Sequence, residues 1–255
     1  MGIFHIFART IEHLNIMAET NDFVYTGTDL DVMGIASNYN NWILDLFEPY
    51  TVKGHAIEVG AGVGTMSKLI AQRYKTTISI EPDLTNFDFL TTELQKFENA
   101  STFCGFLDKA IDTIKEPVDS IFYINVLEHI ENEVEELLKA KQLLKTTGQF
   151  CIFVPAIEKL YGDIDKQVGH YRRYSKKRLK WIFEEQLDMN IVKMGYFDFI
   201  GVIPWYILSC VLKLSGQNPK TITIYDKLVV PVMKKIEKYI SMPIGKNLYL
   251  IATSK

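Results

Sequence analysis

One stretch of the 255-residue chain has residue types that can hold a small ligand largely through backbone. IEVGAGVGT, from Ile57 to Thr65, runs an apolar strand into Gly60, Gly62 and Gly64 and then into a helical pattern. Glycines at such a turn let the backbone approach a ligand and take positive φ, and the amides that open the following helix face that ligand. The spacing is G-x-G-x-G, whereas a dinucleotide fingerprint needs its third glycine where Thr65 stands. Glu58, two places before the first glycine, puts a negative group near the ligand, which suits a cation better than a pyrophosphate. Glu81 closes the apolar run ISIE about 20 residues after the glycines, where an acid can accept hydrogen bonds from both hydroxyls of a ribose.

Further residues with chemistry to offer lie on either side. His129, in LEHI, is read either as a direct participant or as a packed side chain. Tyr39 and Trp42, in SNYNNW, stand on a predicted helix that either closes the ligand pocket or packs its aromatics. The segment GHYRRYSKKRL, 169–179, places Arg172 and Arg173 between Tyr171 and Tyr174 and directly after His170. Read as a lid, it offers the arginines to an anionic or sugar-like acceptor and His170 as general base for a hydroxyl. Read as a helix entry, its arginines pair with carboxylates and its tyrosines pack. The lid reading is favoured because the segment follows a strand that ends at the ligand edge. No His, Cys or Asp cluster has metal-ligand spacing, so the sequence implies no metal.

Short apolar runs alternating with helical patterns position these residues, the mark of a parallel sheet covered by helices. Strands are expected at 55–60, 76–81, 101–104, 118–124, 149–155, 190–198 and 247–254, with helices at 63–73, 84–97 and 131–145. Gly148 is read as ending the last of these. Residues 156–174 read as a loop or lid, and Ser175 caps a helix running to about Gln186. The apolar stretch 199–214 and a helix at 223–240 form an insertion before the closing strand. The fold class is α/β: a doubly wound, mostly parallel seven-stranded sheet with a helical N-terminal cover and a C-terminal helical insertion. A single domain is expected over 1–255, with the cover at 1–50, the ligand-binding core at 51–155 and the lid, insertion and closing strands at 156–255.

Composition narrows the function. A net charge of −3 weighs against a general nucleic-acid binder. Cys104, Cys151 and Cys210 are far apart, which fits buried free thiols in a reducing compartment and a cytoplasmic protein. Ile3, Phe7, Ile11 and Leu14 recur at helical spacing without a secretory pattern, and Ile6 stands where a myristoylated Gly2 needs Ser or Thr. The uncharged run from Phe199 to Leu212 is shorter than the roughly 18 apolar residues of a spanning helix, and Pro204 interrupts it. It is expected to border the acceptor pocket, with any membrane contact peripheral.

Segment 57–67, the acid at 81 and NVLEHI at 125–130 together resemble the class I S-adenosylmethionine-dependent methyltransferases. The likeness covers roughly 38–155 and is nearest to small-molecule enzymes of bacterial biosynthetic clusters, which often carry a segment similar to 169–179. It implies the Rossmann-like methyltransferase fold and S-adenosyl-L-methionine as cofactor. It also implies that Gly60, Ala61, Gly62 and Gly64 line the methionine and ribose portions, with Glu58 near the amino group. Glu81, with Pro82, holds the ribose; Phe106 and Leu107 flank the adenine; Asn125 offers backbone to the methionine side; Tyr39 closes the pocket. Two departures stand out. Gly105 replaces the Asp that many relatives have after the third strand, and Lys145-Thr146-Thr147-Gly148 replaces a Lys-Pro-Gly-Gly turn. The implied reaction is methyl transfer to a small-molecule acceptor such as a sugar, polyketide-like or lipid-linked hydroxyl. A protein or RNA methyltransferase and a non-catalytic cofactor-binding protein are the alternatives.

Overall fold

Period-two alternation in the central strands sends apolar side chains to both faces of the sheet, and each face carries a helical layer. The computed structural model describes residues 16–17, 25, 34–207 and 218–255. The expected amphipathic helix around Ile3 to Leu14 lies outside the described residues, as do 208–217 of the insertion and Cys210. Strand β1 is the two-residue Ile16–Met17. The main strands are β2 (His55–Val59), β3 (Thr76–Glu81), β4 (Ala100–Cys104), β5 (Val118–Ile124), β6 (Leu144–Pro155), β7 (Met189–Phe197) and β8 (Asn247–Ser254). Ile121 and Tyr123 of β5, with Phe150, Ile152 and Val154 of β6, enter one buried cluster; Phe122, Ile124, Cys151 and Phe153 enter the other.

The sheet order is β1-β4-β3-β2-β5-β6-β8-β7. From β2 the chain winds outward through β3 to β4, then returns to β5 on the other side of β2 and winds outward again. The reversal between β2 and β5 leaves a crevice at the carboxyl ends of these strands, the place where open α/β sheets take ligands. β8 runs antiparallel to both β6 and β7. The seven expected strands are all present. β1 adds an eighth at the edge, pairing in parallel with β4 through Ile16 and Phe103.

Helix α1 (Ser37–Phe47) buries Tyr39, Trp42, Ile43 and Phe47 against the second face, together with Phe197 and Phe153. Its own N-cap, Ala36, has no side-chain acceptor. Asp226 supplies one from far along the chain, accepting the amides of Asn38 at 3.2 Å and Tyr39 at 2.8 Å. Those amides are otherwise orphan donors at the positive end of the helix dipole, so Asp226 clamps the insertion onto α1. Helix α2 (Thr65–Ala71) follows the glycine turn, and α3 (Leu84–Leu94) is capped by Asp83, which accepts from the amide of Asn86 at 2.8 Å.

Some boundaries differ from expectation. The helix read at 131–145 is α4, Glu133–Lys141, and Leu144 already belongs to β6, paired with Val118. Leu144 fits a helical stripe in the sequence, but the strand pairing decides its conformation. Gly148 therefore sits inside β6, where a Cβ would lie 3.0 Å from the carbonyl of Val118. The lid contains a short helix, α5 (Asp163–Gln167); α6 (Lys176–Lys180) continues as a wider π-helical turn through Gln186. The insertion holds α7 (Pro219–Ile224), a π-helical turn to Val229, and α8 (Val230–Tyr239).

Candidate functional site

The sheet's switch point carries a cavity walled by Gly60 to Val63, Thr65 and Met66 after β2, by Glu81, Pro82 and Asn86 after β3, and by Ile124 to Val126 and His129 after β5. Tyr25, Asn40 and Glu58 complete the wall. The glycine turn is fixed by its neighbour strand: the amides of Gly60 and Ala61 both donate to the carbonyl of Ile80, at 2.9 and 3.0 Å. Gly60 has φ +71°, and a Cβ there would stand 2.6 Å from Val126 Cγ2. The backbone of β2 thus meets the β5 turn with no room for a side chain. Gly62 is also left-handed, at φ 55°.

Two buried carboxylates shape the electrostatics. Glu81 accepts from the amide of Gly62 at 2.7 Å and from that of Asp83 at 2.9 Å, so it ties the first turn to the second. Burial nevertheless pushes its pKa up to about 7, against the pull of those two amides. Glu58 accepts from Ser67 Oγ and, at 3.4 Å, from Ser79 Oγ. Neutral hydroxyls compensate a charge less well than a cation does; burial dominates, and the Glu58 carboxyl is pushed up to about 8. A desolvated acid of this kind favours a positively charged ligand beside it.

The expected site residues divide. Glu58, Gly60, Ala61, Gly62, Glu81, Pro82, Asn125 and His129 come together in the wall. Asn125 adopts φ 54° and donates its amide to the carbonyl of Phe153 at 2.8 Å. Gly64, Tyr39, Phe106 and Leu107 are not in the wall. Gly64 precedes α2 with φ +86°, and its missing side chain makes room for Leu90 of α3 at 3.1 Å, so its constraint is helix packing. Tyr39 turns into the apolar layer, its ring 5.2 Å from that of Phe197 and its hydroxyl 3.3 Å from Asp198. One residue along the helix the direction changes by about 100°, and Asn40 takes the place in the wall. Leu107 is buried in the core with Ile80 and Phe103, while Phe106 is exposed, as is Asp108.

The lid segment is stitched to the turn after β5. Tyr171 donates its amide to the carbonyl of Glu128 at 2.7 Å, and Tyr174 Oη donates to the carbonyl of Leu127 at 3.0 Å. This sets the His170 ring edge-to-face on His129, with centroids 4.6 Å apart. His170 Nδ1 lies 2.8 Å from Asp165 Oδ1, and Arg173 Nε donates to both oxygens of Asp165 at 2.9 and 3.0 Å. Arg172 is bound to Glu133 and to the carbonyls of Ile130 and Glu131. Both guanidiniums are held by carboxylates within the protein, Arg172 by Glu133 and Arg173 by Asp165, where they brace the lid. Tyr171 is exposed. His170 stands behind His129, outside the wall formed by the strand ends.

Sequence reasoning passed over Tyr25, Asn40, Met66 and Asn86 in the wall, and over Glu128 and Asp165 beside it. Glu128 is fully buried, and neither of its carboxylate oxygens has a hydrogen-bond partner. One donor atom each from Glu128, His129 and His170 lies within 4.8 Å of the others. Such a set can hold a cation, and adjacent residues 128 and 129 joined to 170 give no periodic spacing by which to see it. Of the expected border at 199–214, the described part, 199–207, sends no residue into the wall, while Trp205 stacks on Arg173 at 4.7 Å.

The model of a family described as Methyltransferase domain matches residues 14–193. No curated protein sequence matches the chain. Among solved structures, a SAM dependent methyltransferase from Archaeoglobus fulgidus is similar at TM-score 0.59 and 16% identity, covering 88% of this chain and 96% of that one. Coclaurine N-methyltransferase bound to N-methylheliamine and SAH is similar at TM-score 0.57 and 14% identity, over 91% of this chain and 83% of that one. The mitomycin 7-O-methyltransferase is similar at TM-score 0.55 and 11% identity, over 88% of this chain and 55% of that one.

Proposed function

The chain belongs to the methyltransferase-domain family, and we propose that it transfers the methyl group of S-adenosylmethionine to the hydroxyl of a small-molecule acceptor. The observation that carries this reading is the closing of three strand ends, with Gly60–Gly62, Glu81 and Asn125, around one cavity at the switch point. In this reading the cofactor's amino group lies toward Glu58, which ionises beside it. A carboxylate offers about four lone-pair sites, so Glu81 can take the ribose hydroxyls while still accepting from Gly62 and Asp83.

The sulfonium is already an electrophile, so the protein's task is to align the acceptor in line with the methyl group and to exclude water. His129 is the titratable side chain that the β5 turn contributes to the wall, and Tyr25 and His170 close on its ring at 5.7 and 4.6 Å. Coclaurine N-methyltransferase and the mitomycin 7-O-methyltransferase are named for methyl transfer to nitrogen and to oxygen of small-molecule acceptors. Binding of S-adenosylmethionine and its demethylated product by calorimetry, then labelled-methyl transfer into fractionated cell extract, tests the proposal. Label in the small-molecule fraction is the expected result. Label in protein or RNA overturns the acceptor class, and binding without any transfer overturns catalysis.

A further inference from the structure

Beside the cavity a carboxylate is buried without a hydrogen-bond donor. Glu128 is 0% exposed and both its oxygens lack a partner, although its backbone carbonyl is bonded to Tyr171. Buried polar groups without partners are rare because each forfeits its hydration. The positive groups that act on it are the His170 imidazole and the Arg173 guanidinium, with Asp165 opposing them. His170 Nε2 is 3.9 Å from Glu128 Oε1, and His129 lies edge-to-face against the same His170 ring.

The orientation of His170 is fixed from behind. Asp165 is fully buried, and Arg173 Nε and the amide of Gly162 donate to it. With Nδ1–H donating to Asp165 Oδ1 at 2.8 Å, the other ring nitrogen, Nε2, faces Glu128 Oε1 at 3.9 Å and is the one free to ligate. A carboxylate holding the outer nitrogen of an imidazole is the usual support of a metal-bound histidine, because it sets the tautomer and raises the basicity of the ligating nitrogen. Two imidazoles and one carboxylate make a donor set suited to Zn²⁺ and to other divalent first-row ions. With ligand bonds of ~2.1 Å, neighbouring donors around a tetrahedral ion stand about 3.4 Å apart. Donor atoms already within 4.8 Å of one another reach that spacing by small side-chain rotations.

We propose that Glu128, His129 and His170 bind one divalent cation at the edge of the cavity, and that this cation holds the oxygen of a hydroxyl-bearing acceptor. The chemical role rests on the methyl-transfer reading above; the cation site does not. A hydroxyl oxygen bound to the ion gives up its proton to solvent water at a lower pH than a free alcohol. The oxygen then forms a bond to the methyl carbon, the carbon–sulfur bond breaks with its electron pair going to sulfur, and the ion keeps its oxidation state. The products are the methyl ether, S-adenosylhomocysteine and the released proton. Acceptors with a second oxygen next to the reacting hydroxyl gain a further ligand bond and are the favoured class.

The test is calorimetric titration of the chelator-treated whole chain with Zn²⁺, and separately with Co²⁺, whose visible absorption reports nitrogen ligation. One saturable equivalent is expected. Glu128→Gln and His170→Ala should each weaken Zn²⁺ binding at least 100-fold, and Asp165→Asn should weaken it by about 10- to 100-fold as an outer partner. His55→Ala, at the start of β2, should leave it unchanged. Far-UV circular dichroism and the melting temperature of the same variants show that they remain folded. No saturable binding of either ion, or binding indifferent to both Glu128→Gln and His170→Ala, overturns the inference. Cofactor binding without cation binding leaves the methyl-transfer reading intact, whereas cation binding without cofactor binding removes that reading and keeps the site.

Discussion

Replacing Glu58 by Gln should change how stability depends on pH, in a direction that the buried position fixes. Glu58 is 3% exposed, and burial raises its pKa from 4.5 to about 8. The folded chain therefore holds this proton more tightly than the unfolded chain does. Stability is fully present below about pH 4.5 and falls as pH rises toward 8, because each further step deprotonates the unfolded state first. At ~1.4 kcal/mol per pH unit, the whole interval corresponds to about 5 kcal/mol. Glu81 adds a slope of the same sign, but its pKa of about 7 ends that contribution earlier. Between pH 7 and 8 Glu58 should therefore stand out, with wild type losing roughly 1 kcal/mol that the variant keeps. Ser67 and Ser79 donate to the acid and can donate equally to the side-chain amide oxygen of the Glu58→Gln variant, so the two proteins should be nearly equal near pH 5. The assay is urea unfolding of the cofactor-free proteins from pH 5 to 8.5. The variant should overtake wild type by several kcal/mol at the alkaline end. Saturating S-adenosylmethionine should flatten the wild-type curve, since a cation beside Glu58 lowers its pKa again. A stability difference that stays constant across the range refutes the reasoning.

Gly62→Val should abolish S-adenosylmethionine binding in calorimetry while far-UV circular dichroism stays native, because a branched side chain at φ 55° fills ligand space and strains the turn. Glu81→Ala should weaken cofactor binding by about 1.5–3 kcal/mol, the scale of charge-assisted hydrogen bonds; an unchanged dissociation constant places the ribose elsewhere. Asp226→Ala should lower the melting temperature and cost about 1–3 kcal/mol, since the amides of Asn38 and Tyr39 lose a buried acceptor; denaturant midpoints check this. The insertion exposes Ile224, Leu228, Val232 and Ile240, while its acids turn inward: Asp226 to α1 and Glu237 to the amides of Asp198 and Phe199. Lysines such as Lys227 and Lys235 are left as the charges of that face, so co-flotation with anionic vesicles that salt and Leu228→Glu both reverse is expected. No helix among the described residues is long and apolar enough to cross a membrane.

The strands were legible because β-branched and aromatic runs such as TTISIE and VDSIFYI leave little helical alternative, and their ends match the pairing at Thr76–Glu81 and Val118–Ile124. Boundaries failed where one residue fits both periods. Leu144 continues the stripe of Leu137 in a helix, yet its pairing with Val118 places it in β6. Tyr39 lies outside the wall for a related reason. With Trp42 and Ile43 it forms the i, i+3, i+4 stripe of a buried helix face, and the polar residue beside that stripe, Asn40, is the one the cavity receives. Arg172 and Arg173 were ambiguous in the sequence because their partners, Glu133 and Asp165, are chosen by the fold of the lid.

What the sequence could not convey is how far each acid around the site is compensated. Asp165 has a guanidinium, an imidazole and an amide, and its pKa is held below the ordinary value despite burial. Glu81 has two amides, and Glu58 has two hydroxyls. Glu128 has no hydrogen-bond partner on either oxygen. Where the protein supplies fewer hydrogen bonds to such an acid, a ligand has more to supply. Asp165 is complete in itself and serves to position His170. Glu81 and Glu58 are partly satisfied and border the cavity, which fits a ligand that brings ribose hydroxyls to one and a positive charge to the other. Glu128 feels His170 and Arg173 only through space, with neither hydrogen-bonded to it, and a divalent ion held together with the two histidines is the ligand proposed for it.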